Sequence, residues 1–331
     1  MNKDIINCPC CGEDKNNLDN SINYTNKIFF SEFGEEVFSD RKMHHCNKCN
    51  FSYSTPFLSD EVLDNFYSNE FSKRRMHSML VQAKKKFRFS LVALQRIFFV
   101  SAFLNKKENH TILDFGGGDG TNASQMKNLF PKSKVNIDDN EIYNNIWKSK
   151  GLEKKSLKSY EDGEIDLFYS SHCFEHINAN EQNNLLGFVK KKMANDGIVY
   201  IEVPNDNFSR FKNKDKLNEG CHVSHFSTKS LKILISKYFD IIDVNSRGAD
   251  RLYEEDRDQN VYDGYKSKPF KKILNKLGLL RVAQSIAVFG HLFFSNNKIY
   301  EKKLIGTMFF RKSINNEEQG AFISIVAKNK F

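Results

Sequence analysis

Thr111-Ile112-Leu113-Asp114-Phe115-Gly116-Gly117-Gly118-Asp119-Gly120 is the stretch that decides the fold: a short apolar run that ends on an acid and breaks into glycines. Ile, Leu and Phe in an unalternating run suit a parallel strand covered on both faces, and the glycines permit a tight turn after it. Thr121-Asn122-Ala123-Ser124-Gln125-Met126 is polar and then helix-compatible, so the order is strand, loop, helix. That order opens a Rossmann-like nucleotide site. A dinucleotide fingerprint wants glycine at its first, third and sixth positions; Gly116 and Gly118 comply, but the sixth position is Thr121. Asp114 and Asp119 flank the loop, and two carboxylates repel a pyrophosphate over a few ångströms, so a cationic ligand fits better. Twenty residues past Gly118, Lys134-Val135-Asn136-Ile137 reads as a second strand ending at Asp138, where a carboxylate can accept both hydroxyls of a ribose.

On these residues the chain resembles class I S-adenosylmethionine-dependent methyltransferases, whose first motif is L-D-x-G-x-G-x-G. The resemblance implies an α/β fold with a Rossmann-like seven-stranded methyltransferase sheet. It also implies S-adenosyl-L-methionine as cofactor, contacted by Asp114, Gly116, Gly117, Gly118, Gly120 and Asp138. A helix around Glu141 to Lys150 leads to the segment from Leu152 to Leu157, and Leu157 lies by position beside the adenine. The run from Glu164 to Ile177 looks like the family's fourth strand and its exit. There Asp166 and a hydrophobic run precede His172-Cys173-Phe174-Glu175-His176, an H-x-x-E-H just beyond the carboxyl edge where ligands of open sheets collect. His172 is thereby placed near the cofactor, and Glu175 and His176 near its methionine end or the substrate. The resemblance gives no reason for a metal at His172, Glu175 and His176, and Cys173 reads as buried. Asn195 to Asn205 supplies a turn, a central strand and the Pro204 that stops it.

Gly220-Cys221-His222-Val223-Ser224-His225-Phe226-Ser227 precedes a helix starting at Thr228. H-x-x-H-F-S/T before a helix recurs in this branch of methyltransferases over the active-site mouth. His222 and His225 are therefore expected in a mobile loop there, making substrate contact or transferring a proton. Asp240 to Ser246 reads as the sixth strand and Ala321 to Lys328 as the last, antiparallel one, with an insertion at about 249–319 between them.

Four of the seven cysteines form two C-x-x-C knuckles, Cys8/Cys11 and Cys46/Cys49. Each knuckle presents two thiolates, and two knuckles complete a tetrahedral Zn²⁺ shell; Cys10, His44 and His45 sit close enough to compete. Lys27 to Phe30 and Glu36 to Ser39 look like short strands of a zinc ribbon, which metal would stabilise where its own core is too small. Ser59 or Asp60 caps a following helix, and from roughly Phe71 to Asn105 the pattern is helical and basic. The expected organisation is a zinc-ribbon module over 1–58, a helical linker or cap over 59–108 and a methyltransferase domain over 109–331.

The net charge is +9, spread over scattered lysines, which reads as compositional bias and not as a binding surface. Mean hydropathy is −0.56, and no signal-peptide pattern opens the sequence, so the cytoplasm is the expected location. The apolar run from Gly278 to Phe294 is interrupted by Arg281, Gln284 and His291, which makes it a poor transmembrane span; a substrate lid, a dimer contact and an interfacial membrane helix are the readings, in that order. The order of zinc knuckles, helical linker and methyltransferase is similar to that of bacterial methyltransferases in sugar and surface-glycan pathways. The function expected is methyl transfer to a small-molecule or glycan acceptor, best a sugar hydroxyl, with His222 or His225 as base and Glu175 or His176 as the alternative. Two rivals are an RNA-directed methyltransferase, or nucleic-acid binder, using the ribbon and basic helix, and a non-catalytic zinc-ribbon scaffold.

Overall fold

A computed structural model describes residues 6–19, 41–71, 93–94, 96–105, 107–206, 222–247 and 322–330. The expected ribbon strands at 27–30 and 36–39, most of the basic helix, Cys221 and the 249–319 insertion lie outside the described residues.

The decisive stretch is strand β3 (Thr111–Phe115), followed by helix α2 (Thr121–Leu129). Parallel to it run β4 (Lys134–Asp138), the short β5 (Glu153–Lys154), β6 (Ile165–Ser171) and β7 (Met193–Pro204). With β9 (Phe239–Arg247) and β10 (Phe322–Asn329) they form a seven-stranded sheet in the order β5-β4-β3-β6-β7-β10-β9. The last strand enters antiparallel between β7 and β9, pairing Ile325 with Ile201 on one side and Val244 on the other.

Successive residues of a strand point to opposite faces, and both faces here are covered. Leu113, Phe168, Ile201 and Ile325 pack on one side, against helices α4 (Gln182–Lys192) and α5 (Thr228–Ser236). Ile112, Leu167, Tyr200 and Val326 pack on the other, against α2 and Trp147 of α3 (Asn144–Ser149). The turn expected at Asn195 to Gly197 is instead absorbed within β7, where the register against β6 breaks: Ile165 pairs with Met193 but Leu167 with Ile198.

The N-terminal module has a second, three-stranded sheet. Strands β1 (Lys42–Cys46) and β2 (Phe51–Thr55) are antiparallel, with the second cysteine knuckle in the turn between them. The third strand is β8 (Ser224–His225), which comes from far along the chain and pairs Ser52 with His225. Cys8, Phe51 and Tyr53 share one apolar cluster with Phe226, Leu231 and Leu234. Ser59 caps α1 (Asp60–Asn65) by accepting from Val62 N, and a π-helical turn, Phe66–Phe71, follows. Among the described residues no helix is long and apolar enough to cross a membrane.

Candidate active site and zinc module

The glycine turn sits at the carboxyl edge of the sheet and is pinned by its own neighbours. Trp147, fully buried, donates its indole N–H to Gly118 O at 2.8 Å. Gly116 N donates to Asp138 O at 2.8 Å, and Gly118 N to Asp139 Oδ2 at 2.6 Å. A Cβ on Gly117 would lie 2.8 Å from Asp114 Oδ2, and one on Gly120 2.9 Å from Ile137 and Leu152. These glycines are required by the fold before any ligand is considered.

Asp114 is 1% exposed and accepts from Ala123 N in the first turn of α2 at 3.0 Å, while its Oδ1 has no hydrogen-bond partner. Burial pushes its carboxyl up to about 8. Asp119 is turned away into local bonds with Thr121 N and Oγ1, and Lys150 lies 3.7 Å from its carboxylate. Asp138 closes β4 and accepts from Leu157 N at 2.7 Å; burial raises its carboxyl too. Asp114, the glycines, Asp138 and Leu157 are therefore brought together. Asp139 and Trp147 also belong to this region, though sequence reasoning did not single them out; the doubled acid at 138–139 was the available signal.

Beyond β6 the chain turns sharply at His172, which has a φ of 57°. Its backbone N–H donates to Glu202 O at 2.8 Å. The buried Glu202 carboxylate accepts from Tyr200 OH at 2.8 Å and Ser171 Oγ at 3.2 Å, and pairs with Arg96 at 2.5 Å. Cys173 is folded under Gly116, and burial raises its thiol well above the ordinary value.

Glu175, 1% exposed, lies in the 3-10 turn Phe174–His176 at the centre of a histidine cluster. His172 Nδ1 is 3.5 Å from its Oε1, and His176 Nε2 and His222 Nε2 are each 3.9 Å away. Burial opposes ionisation of Glu175, but the three histidines outweigh it and hold the carboxyl below its usual value. Behind them, His176 Nδ1 shares a 2.8 Å hydrogen bond with Tyr67 OH, and His222 Nδ1 faces Asp206 at 3.5 Å. Asp206 also meets His225 Nδ1 at 3.0 Å. His225 is fully buried in β8, and His222 lies two residues before that strand, so the segment expected as a mobile loop is anchored here. Val223 N donates to Glu175 O and Ser54 N to Val223 O, which ties the histidines to both the sheet edge and the ribbon. Tyr67 and Asp206 carry no local motif and were not legible in the sequence.

In the ribbon, Cys8 Sγ is 3.5 Å from Cys49 Sγ, and Cys11 Sγ is 3.5 Å from Cys46 Sγ. All four sulfurs lie within 4.8 Å of one another. Zn–S bonds of about 2.3 Å put tetrahedral sulfurs about 3.8 Å apart, so the set fits the metal. Crowded thiols do not ionise together unaided: hydrogen bonds from Cys10 and Cys49 pull Cys8 down, whereas burial raises Cys46. His44 and His45 are committed to cross-strand hydroxyls, Thr55 Oγ1 at 2.7 Å and Ser52 Oγ at 2.8 Å, and do not join the sulfurs.

Residues 85–238 match the family model described as a methyltransferase domain. No curated protein matches the chain. Among solved structures, it is similar to an S-adenosylmethionine-dependent methyltransferase from Archaeoglobus fulgidus at 18% identity, covering 76% of this chain and 99% of that one with a TM-score of 0.45. Phosphoethanolamine N-methyltransferase 2 from Haemonchus contortus is 15% identical, with 85% of this chain and 63% of that one covered and a TM-score of 0.48. A possible histamine N-methyltransferase from Thermotoga maritima is 15% identical, with 82% and 99% covered and a TM-score of 0.46. The match to the methyltransferase-domain model over residues 85–238, together with the seven-stranded sheet and its glycine turn, supports S-adenosylmethionine-dependent methyl transfer.

Proposed function

We propose that the acceptor is a hydroxyl of a sugar, in a nucleotide-sugar or a surface glycan. The observation that carries this reading is the convergence of Glu175, His176 and His222 just beyond β6, a few residues after the Cys173 that packs under Gly116. A sugar hydroxyl is too weakly acidic to attack while protonated, so a site for it needs a group that takes or displaces the proton. The order of modules, similar to that of sugar-pathway methyltransferases, supports the same class, as does the lack of an N-P-P-Y run after the fourth strand.

In this reading Asp114, Gly116, Gly117, Gly118 and Gly120 shape the cofactor cradle, Asp138 takes the ribose, Leu157 lies beside the adenine and His172 near the methionine end. The orphaned Oδ1 of Asp114 and the glycines that admit no Cβ fit such a cradle. The cofactor supplies an electrophilic methyl on a sulfonium. The chain aligns the acceptor oxygen with that methyl, and the hydroxyl's proton is displaced at the Glu175–His176–His222 cluster. His225, buried behind Asp206, supports His222 and does not touch substrate. Cys8, Cys11, Cys46 and Cys49 hold a structural zinc, which makes the Ser52–His225 pairing a rigid support for the acceptor side.

Incubation with methyl-labelled S-adenosylmethionine and fractionated cell extract tests the acceptor. Label is expected in sugar or glycan fractions, and label in RNA or protein instead overturns the proposal. In protein shown to bind S-adenosylhomocysteine, His222→Gln should slow single-turnover transfer by about 10²–10⁴-fold.

A further inference from the structure

The cluster at Glu175 gathers potential ligand atoms around a buried carboxylate, whose nearest neighbour among them is His172 Nδ1 at 3.5 Å. Both carboxylate oxygens of Glu175 are buried without a hydrogen-bond partner. Two imidazole Nε2 atoms point at one of them from 3.9 Å, and the ligand atoms of Glu175, His176 and His222 all lie within 4.8 Å of one another. A Nδ1–H donating to Tyr67 OH on His176, and one donating to Asp206 on His222, would leave each Nε2 as a lone pair. Three acceptors then converge on one point, where Glu175 is buried and the two histidines are half-buried. A second partner on the far nitrogen of each histidine is the arrangement that fixes tautomer and ring direction in metal sites.

We infer that Glu175, His176 and His222 bind a divalent first-row cation at the acceptor end of the active site, separate from the zinc of the ribbon. Two imidazoles and one carboxylate are a borderline donor set that suits Mn²⁺, Fe²⁺, Co²⁺ or Zn²⁺ better than an all-oxygen cation. Three protein ligands leave coordination positions open, and adjacent open positions take two neighbouring oxygens of a polyol, which is the class of acceptor such a site selects. This deepens the sugar-hydroxyl reading and rests on it. The ion stabilises the alkoxide as a Lewis acid. The acceptor O–H bond breaks and its proton passes to solvent; the O–CH₃ bond then forms as the C–S bond breaks with its electron pair on sulfur. His176 and His222 act as ligands, and Tyr67 and Asp206 as positioning residues.

The test uses the full chain, dialysed against a mild chelator, with zinc content followed by elemental analysis and Mn²⁺ binding by electron paramagnetic resonance. One Mn²⁺ per chain beyond the ribbon zinc is expected. Glu175→Gln should weaken binding by at least about tenfold, and Tyr67→Phe, which leaves every ligand in place, by about 10–100-fold. S-adenosylhomocysteine binding in each sample reports an intact cofactor site. Wild-type protein that binds S-adenosylhomocysteine but takes up no Mn²⁺, Co²⁺ or second Zn²⁺ at millimolar concentration overturns this inference and leaves the acceptor reading standing. Binding that both variants leave unchanged overturns it as well. Cation uptake intact in Mn²⁺ experiments, with label from the methyl donor found only outside sugars, overturns the acceptor reading and with it the polyol ligand.

Discussion

Replacing Gly116 by alanine separates two explanations of the glycine turn. Gly116 has a φ of 69°, and a Cβ built there would lie 2.3 Å from Cys173 Sγ and 2.4 Å from Cys173 Cβ. A left-handed conformation costs an alanine about 1–2 kcal/mol, and forced overpacking adds about 1–3 kcal/mol. Gly116→Ala should therefore destabilise the protein by about 2–5 kcal/mol in urea unfolding, before any cofactor is added. Cys173→Gly deletes both clashing atoms, so combining it with Gly116→Ala should recover the overpacking share, a coupling of about 1–3 kcal/mol. Four proteins, wild type, the two singles and the double, close the cycle, with S-adenosylhomocysteine affinity measured by calorimetry on each. Single-mutant effects that add within about 0.5 kcal/mol would refute the clash. Unchanged stability with lost affinity would show that Gly116 is there only to let a ligand approach.

Elemental analysis of protein purified without added metal should find one zinc per chain, and Cys46→Ser with Cys49→Ser should lose it; zinc unchanged in that variant refutes the ligand set. Asp138→Ala should cost S-adenosylhomocysteine binding about 1.5–3 kcal/mol per charge-assisted bond removed, and equal affinity would show that Asp138 does not reach the ribose. Asp114 gives a pH dependence. Its carboxyl is raised from 3.8 to about 8, so between those values the folded chain holds a proton that the unfolded chain lacks. Stability without cofactor should therefore be greatest below the unfolded value and fall as pH rises toward 8. Asp114→Asn should flatten that slope between about pH 5 and 8, and a slope identical to wild type means that Asp114 is ionised in the folded protein.

The sequence alone determined whatever depended on neighbours within a few residues. An apolar run ending in Asp114 and glycine could only be a covered strand entering a tight turn, and two C-x-x-C knuckles already carried the ligand count and spacing of a zinc site. The β-strands at 134–138, 165–171 and 239–247 were legible because each carries its own short apolar or alternating run, continuous only in 165–171, which is buried on both faces. Tertiary structure decided what separated segments do together. Ser224 and His225 read as part of a mobile loop, but they pair with Ser52 and Tyr53 of the ribbon, which anchors His222 against Glu175. Tyr67 and Asp206 stand 109 positions before His176 and 16 before His222, and their sequence neighbourhoods say nothing of the contact. The glycines were legible as glycines, but the reason for Gly116 was not, since Cys173 is brought under it by a different strand. Strand and turn propensities are local energies written into local composition, whereas a cluster of partners for one buried carboxylate exists only after the sheet has set its strand order.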